Sequence, residues 1–469
     1  MKSEILGQII DQNLGYYAQQ VGKIQIHSDC VERDDIFLAL RGARQDGHDF
    51  VSNALNNGAS YAIVSRVPDG ITDQLLHKII LVKDVRLILV KLAHYKLESI
   101  NPIIIAITGS SGKTSTKDIL GHALGPRCFC SRGNFNNELG LLVNLASIPE
   151  DTQYAVLEIG MSAAGEIRKL SQIIKPHIAI ITSIGPAHMM YFHDLEEIAA
   201  AKSEIFEQMR NSNSIAIIPY DTPYHHKIAV AARACGLHNI YTFGRQYGAD
   251  ARFSHYDLIF KNDTLSAHYI FNIFNDKFEL FTTLTGRHQG YNLAAALLAC
   301  LELKSENIND IMARIQNIRP LYGRGIMKSI TAFDKKFTII DDSYNSNPAS
   351  LKAGLIHLAD IEHSNKILFL SDMYELGHFG EEYHLDMIQY ILLTKARVLI
   401  TIGDLMKKVY QALILDQNNT LLEAMHFDSM QQVQNFLPDI IADDSLVYFK
   451  GSHGTNLHLV VQYIFNNAQ

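Results

Sequence analysis

The sequence predicts an α/β protein of three domains: a small N-terminal α/β domain, a central mostly parallel sheet with helices on its faces, and a C-terminal α/β domain. Three observations carry this prediction. The chain is 469 residues long, which suits about three domains. A run of β-branched residues, Ile103 to Ile107, meets a glycine loop and then a helical stretch from Thr114 to about Leu124. Short apolar strands then alternate with helical stretches through residues 100–318 and again through 319–469, the pattern of parallel sheets covered by helices.

In chain order, strands are expected at Ile36–Leu40, Ala62–Val64 and Ile79–Val82 in a first domain spanning 1–99. Asn101-Pro102 marks its end, because the residue before a proline avoids helix. In the second domain, 100–318, further strands are expected at Tyr154–Ile159, His177–Ile184, Ser214–Pro219 and Ile240–Phe243. Residues 252–285 alternate apolar and polar side chains around Lys261-Asn262-Asp263 and Asn275-Asp276-Lys277, which predicts antiparallel hairpins. A helix covers Asn292–Leu303. Arg319-Pro320 and Gly323-Arg324-Gly325 look like a hinge into the third domain, 319–469. Its strands are expected near Phe337–Asp341, Ile367–Ser371, Val398–Ile402 and Leu446–Lys450.

Composition excludes several classes. Apolar residues make up 47%, ample for large cores, and the formal charge of −8 argues against a sequence-independent nucleic-acid binder. Five cysteines form no zinc-type spacing and suit reduced thiols in a cytoplasm. Met1-Lys2-Ser3-Glu4 lacks a basic lead into an apolar signal core, and no apolar run reaches the roughly 18 residues of a membrane span. A cytoplasmic chain without membrane insertion is expected.

The strand–loop–helix at 103–124 is an anion site by construction. Gly109 and Gly112 let the backbone N–H groups of Ser110, Ser111 and their neighbours converge on phosphate oxygens, and the helix N-terminus, opening at Thr114 and followed by Ser115, adds partial positive charge. Lys113 is expected to reach the β/γ-phosphates of a nucleotide such as ATP, and the Thr114 hydroxyl to ligate Mg²⁺. Ile107 stands where a full Walker loop has its first glycine, so the loop is the shorter G-x-x-G-K-T form.

Other polar clusters fall where α/β sheets hold ligands, beyond strand ends. Glu158 ends a strand and suits a metal, or else is a solvated acid. His188 follows Ile184-Gly185-Pro186-Ala187, as a ligand or as a structural hydrogen-bonder. Lys202 sits in Ala199-Ala200-Ala201-Lys202-Ser203-Glu204, where the bland expectation is a solvated lysine paired with Glu204. Asn292 opens a helix and offers an amide to a purine, or caps that helix. Asp342-Ser343-Tyr344-Asn345-Ser346-Asn347-Pro348 suits ribose hydroxyls or a polar substrate, while a helix cap at Asn347-Pro348 explains only part of it. Lys450-Gly451-Ser452-His453-Gly454 opens the last helix as another anion site.

Together these stretches resemble the Mur ligases, ATP-dependent amide-forming enzymes of cell-wall precursor synthesis. The nearest resemblance is to the branch that adds D-alanyl-D-alanine to UDP-N-acetylmuramoyl-tripeptide. It covers nearly the whole chain and includes Thr108–Thr114, Gly133-Asn134-Phe135-Asn136-Asn137-Glu138-Leu139-Gly140, Glu158-Ile159-Gly160, Ala187-His188, Ala201–Ile205, Asp342–Pro348 and Ser371–Gly377 with His384. The resemblance implies a precursor domain, an ATPase domain and a mobile Rossmann-like ligase domain in a monomer. It implies Mg²⁺ at Thr114 and Glu158, and a second ion at His188 and a carboxylated Lys202. It further implies Asn292 at adenine, Asp342 at ribose and Arg324 at a phosphate. Asn136 and Asn137 fall on the precursor side, and Tyr344, Asn345 and Asn347 on the substrate side. The chain departs from the family at His27-Ser28-Asp29, where Asp-Ser-Arg is usual, and at Asp34-Asp35 in the following Gly-Asp-x-Phe. It departs again at Gln289 for an adenine-side asparagine and at His453 for arginine. A ligase of this family with another carboxylate and amine pair is the competing reading. A non-catalytic nucleotide-binding regulator is a further one, opposed by the intact Lys113, Glu158, His188 and Lys202. A generic P-loop kinase leaves Asp342–Pro348 unexplained.

Overall fold

The structure, a computed structural model, describes residues 3–10, 22–42, 45–261, 264–304, 307–415 and 423–468. Two compact units emerge. The first comprises Met1–Ala106, Pro126–Met161 and Lys169–His177, and the second Ile107–Gly125, Ser162–Arg168 and Ile178–Gln469. The architecture is α/β throughout.

In the first unit, β1 (Ile24–Gln25), β2 (Ile36–Leu38), β3 (Tyr61–Val64) and β4 (Ile79–Leu81) form an all-parallel sheet in that order. Phe37, Ala62 and Val64 bury one face against Val51, Ala54 and Leu55 of the short helix Val51–Asn56. The helix Val85–Ile100 starts where the Asp84 side chain accepts the Leu87 N–H, and stops at Asn101 in a left-handed turn (φ 47°) before Pro102. The first compact unit continues past this stop to Ala106. β5 (Ile103–Thr108) passes from the first unit into the second, and Ile104 to Thr108 are buried. Burying each isoleucine of this strand contributes roughly 1.5–3 kcal/mol. β6 (Cys128–Cys130) pairs in parallel with β7 (Tyr154–Glu158) in the first unit.

In the second unit, β8 (Ile178–Ile181), β9 (Ile215–Pro219) and β10 (Asn239–Gly244) run parallel. They are followed by β11 (Ala251–Lys261), β12 (Thr264–Ile273) and β13 (Asp276–Thr282), which are antiparallel to one another as expected for 252–285. Of the expected turn Lys261-Asn262-Asp263, Asn262 and Asp263 lie outside the described residues. The C-terminal sheet holds β14 (Ile326–Ala332), β15 (Lys335–Asp341), β16 (Lys366–Ser371), β17 (Val398–Ile402), β18 (Glu423–Phe427) and β19 (Leu446–Lys450). Their order is β14-β15-β19-β16-β17-β18, parallel except for β14. β15, β19 and β16 are neighbours, so their carboxyl ends at Asp341, Lys450 and Ser371 lie side by side.

β1, β6, β14 and β18 are additions to the sequence reading. Each is short or only partly buried, and so lacks the continuous apolar run that marks the central strands. Among the described residues, no helix is long and apolar enough to cross a membrane.

Candidate active site

The phosphate-type loop is held by hydrogen bonds from three directions within the second unit. Behind it, Ser110 N donates to Ser183 O (3.0 Å) and Ser111 N to Ser183 Oγ (2.9 Å). Thr182 Oγ1 donates to Ser111 O (2.6 Å), and Ser110 Oγ donates to Gly185 O (2.8 Å). A side chain could not replace either loop glycine. A Cβ at Gly109 would stand 1.9 Å from Thr182 Oγ1, and at Gly112, where φ is +86°, 2.5 Å from Asn292 Oδ1. Lys113 begins the helix Lys113–Leu124 and folds its ammonium back to donate to Gly109 O (2.6 Å). Thr114 is buried at the helix start, next to Ser115.

Asn292 lies in the helix Arg287–Leu303 and is buried. Its Nδ2 donates to Gln289 Oε1 (3.0 Å), and its Oδ1 accepts from Thr116 Oγ1 (3.3 Å). It is therefore an internal brace of the loop and not a helix cap. A small cleft beside it is lined by Ser115, Asp118, Leu284, Gln289, Pro320 and Arg324, among others. Burial raises the Asp118 carboxyl, and His122, Lys117 and Arg324 oppose that rise.

The third tether comes from Asn347. Its Nδ2 donates to Ser110 O (3.2 Å), and its amide lies 3.1–3.2 Å from Ser111 Oγ. The same side chain accepts from Ser350 N (2.8 Å) and caps the helix Pro348–Asp360, with Ser350 Oγ completing a capping box. The cap foreseen at Asn347-Pro348 thus exists, and the residue that makes it also grips the loop. Asp342 accepts from Lys450 Nζ (2.7 Å) and from Tyr448 OH (3.0 Å), a contact that, with burial, pushes the Tyr448 phenol up. The Arg324 guanidinium stands 4.2 Å from the Tyr344 ring centroid, and His453 lies against the same ring at 5.5 Å. Asn345 Oδ1 accepts from Ser346 N and His453 N.

His188 has a left-handed backbone (φ 59°), and its Nδ1 lies 2.6 Å from Glu375 Oε2. The imidazole holds the Glu375 carboxyl below its usual range. Glu375, also left-handed (φ 65°), was not singled out from the sequence. It lies in the Ser371–Gly377 stretch that carries the family resemblance, but its partner is 187 positions away. Lys202 corrects the bland expectation of a solvated lysine. It is 2% exposed, and burial followed by the Lys113 charge drives its pKa well below the usual lysine value. Glu204 is not its partner; it accepts from the backbone of Gly165 and Arg168. Among the described residues, no carboxylate forms an ion pair with Lys202.

In the first unit, Glu158 ends β7, is 3% exposed, and accepts from Asn136 Nδ2 (3.0 Å). A solvated acid is thereby excluded. Asn137 caps the helix Glu138–Ala146 by accepting from Gly140 N (2.9 Å). The exposed His27 ring lies 5.9 Å from Phe135, and Asn53 donates to both Ser28 Oγ and Asp29 Oδ1.

Three family profiles match the chain in succession. They are "Mur ligase family, catalytic domain" over residues 20–96, "Mur ligase middle domain" over 107–300, and "Mur ligase, glutamate ligase domain" over 327–453. The chain is 36% identical to the UDP-N-acetylmuramoyl-tripeptide--D-alanyl-D-alanine ligase of Rickettsia prowazekii, covering 94% of each chain. It is 30% identical to the enzyme of that name from Bacillus subtilis, covering 92% of this chain and 90% of the other. Among solved structures it is similar to MurF from Acinetobacter baumannii, with TM-score 0.80, 28% identity and 99% and 98% coverage. It is also similar to MurF ligase from Thermotoga maritima in complex with ADP, with TM-score 0.75, 25% identity and 95% and 98% coverage. With three consecutive profile matches and full-length relatives of this similarity, the chain belongs to the Mur ligase family, closest to its MurF members.

Proposed function

We propose that the protein joins D-alanyl-D-alanine to UDP-N-acetylmuramoyl-tripeptide at the expense of ATP, a step of peptidoglycan synthesis. The observation that carries this is the near-full-length identity to the Rickettsia prowazekii ligase, on a chain whose phosphate loop is braced as a nucleotide site requires. The reaction has two steps. A carboxylate of the tripeptide precursor attacks the γ-phosphorus of ATP, giving an acyl phosphate and ADP. The dipeptide amine then attacks the acyl carbon, and phosphate leaves with the C–O electrons.

The first step brings anions together, so the site must supply cations and fixed donors. Lys113 and the loop amides other than those of Ser110 and Ser111, which donate to Ser183, hold the β/γ-phosphates. Arg324 meets a phosphate, and Asp342 takes the ribose while Lys450 and Tyr448 orient its carboxylate. Asn292 serves the nucleotide by holding Gly112 and Thr116 in place beside the adenine-side cleft. Tyr344, Asn345 and Asn347 serve the dipeptide side, Asn347 by fixing the loop to its helix. Asn136 and Asn137 belong to the precursor side, where Asn136 orients Glu158.

The residue types that the family resemblance assigns to Mg²⁺ suit that ion by their chemistry. Thr114, Glu158 and His188 offer hydroxyl, carboxylate and imidazole. A plain Lys202 ammonium would repel a cation, but this amine is buried beside Lys113 and held toward its neutral form, the state that adds CO₂. As a carbamate it becomes an anionic oxygen ligand. Bound Mg²⁺ would offset phosphate charge and polarise the transferring phosphoryl group. Residues 1–99 serve as the precursor domain, 100–318 as the ATPase domain and 319–469 as the ligase domain, in a cytoplasmic monomer.

The altered first-domain motif at His27-Ser28-Asp29 supports testing the acceptor directly. Ligation assayed over a panel of UDP-linked and unlinked acceptors is expected to require the UDP-linked tripeptide. Ligation of unlinked acceptors alone would overturn the reading in favour of another carboxylate and amine pair.

A further inference from the structure

The antiparallel strands β11, β12 and β13 carry a cluster that the ligase reaction does not use. Register places Asp257 opposite His268, Ile270 opposite Glu279, and His268 opposite Phe281. Side chains alternate along a strand, so His255, Asp257, His268, Glu279 and Phe281 share one face. The opposite face carries Tyr269 and Leu280, which are fully buried. The polar set therefore stands on the solvent side of a sheet whose other side is core.

We propose that His255, Asp257 and His268 bind a divalent transition-metal ion of the zinc class, with Glu279 as a fourth donor. The three ligand atoms already lie within 4.8 Å of one another. A tetrahedral zinc ion with bonds of about 2.0–2.2 Å holds its donors roughly 3.4 Å apart, so rotation of exposed side chains closes the set. His255 Nε2 is in contact with Asp257 Oδ2. His268 Nε2 is buried from solvent with no hydrogen-bond partner, and the nearest Glu279 oxygen is 3.7 Å away. A buried ring nitrogen at that range from a carboxylate is an acceptor lone pair, or a proton, waiting for a partner. The other Glu279 oxygen takes Lys277 Nζ at 2.9 Å, which fixes the carboxylate. Phe281 stacks on the His268 imidazole at 4.4 Å with planes 7° apart, and the His255 ring meets it edge-on at 5.6 Å. Two imidazoles and two carboxylates select a borderline transition ion over Mg²⁺ or Ca²⁺, which prefer all-oxygen shells. A bound ion would tie three strands together at their solvent face.

The test is Zn²⁺ titration of the full chain by calorimetry in excess Mg²⁺, comparing wild type with H255A/H268A and, separately, D257N. The expected result is one Zn²⁺ site that the double variant weakens at least tenfold and D257N weakens measurably. Unchanged phosphate release by both variants without Zn²⁺ is expected, because the cluster is outside the ligase machinery. D257N keeps the sheet geometry, so a folding failure of the double variant would not remove the test. Equal Zn²⁺ stoichiometry and affinity in wild type and D257N, or no Zn²⁺ site in wild type, would overturn the proposal.

Discussion

Asn347 performs two tasks with one amide, and substitution can separate them. N347A removes the cap of the helix Pro348–Asp360 and both contacts to the loop. Losing an N-cap costs about 1 kcal/mol. Two partly exposed neutral hydrogen bonds add about 0.5–1.5 kcal/mol each. N347A should therefore lose about 2–4 kcal/mol of stability and also weaken ATP binding. N347D differs, because its carboxylate still accepts from Ser350 N, so the cap survives. It cannot donate to Ser110 O, and it puts a negative charge beside a loop that must receive phosphates. At roughly 6 Å and an effective dielectric of about 40, each phosphate charge is repelled by about 1 kcal/mol. N347D should then lose only about 1 kcal/mol of stability, less than N347A, but show an ATP KM raised about tenfold or more. Denaturant unfolding and ATP-dependent phosphate release on both variants decide the matter. An N347D protein as destabilised as N347A, or one with an unchanged ATP KM, would refute the division of labour.

Lys113→Ala should lower turnover by at least a hundredfold with unfolding unchanged, because the lysine offsets charge on the phosphoryl group in flight; near-normal phosphate release would count against the loop assignment. Lys202→Ala should be inactive and partly rescued by acetate or formate, whereas full activity without rescue would show that no carbamate is needed. His357, buried against Thr285 and held at about 3 by burial and by the neighbouring His288, is neutral in the folded chain. The unfolded chain binds its proton below about pH 6.5, so this contribution is intact above that pH and is lost as pH falls toward 3, amounting to roughly 3 kcal/mol by pH 4. H357Q should flatten that acid slope in urea unfolding, and an unchanged slope would contradict the burial argument.

The parts legible in the sequence are those with local causes. Ile103–Ile107 reads as a strand because Ile104, Ile105 and Ile107 are core residues and Ile103 is partly buried. Gly109 and Gly112 mark the loop because nothing larger fits against Thr182 and Asn292. Asn347-Pro348 announces a helix start in its own spelling. What stayed hidden depends on distant partners. The burial of Lys202 cannot be read from three alanines, which serve an exposed helix equally well. Glu375 acquires meaning only when its loop meets His188. Asn136 and Asn137 look alike in sequence, yet one orients Glu158 and the other caps a helix. β14 carries the exposed pair Lys328 and Ser329 in mid-strand, so neither alternation nor a continuous apolar run marks it.

The central claim is that one site couples ATP cleavage to ligation through an acyl phosphate. Phosphate release measured with UDP-N-acetylmuramoyl-tripeptide and ATP, with and without D-alanyl-D-alanine, tests it directly. The account predicts slow or absent release without the dipeptide, and sustained release with it, matched mole for mole by ligated product. Release that is indifferent to the dipeptide, or that runs without ligated product, would contradict it.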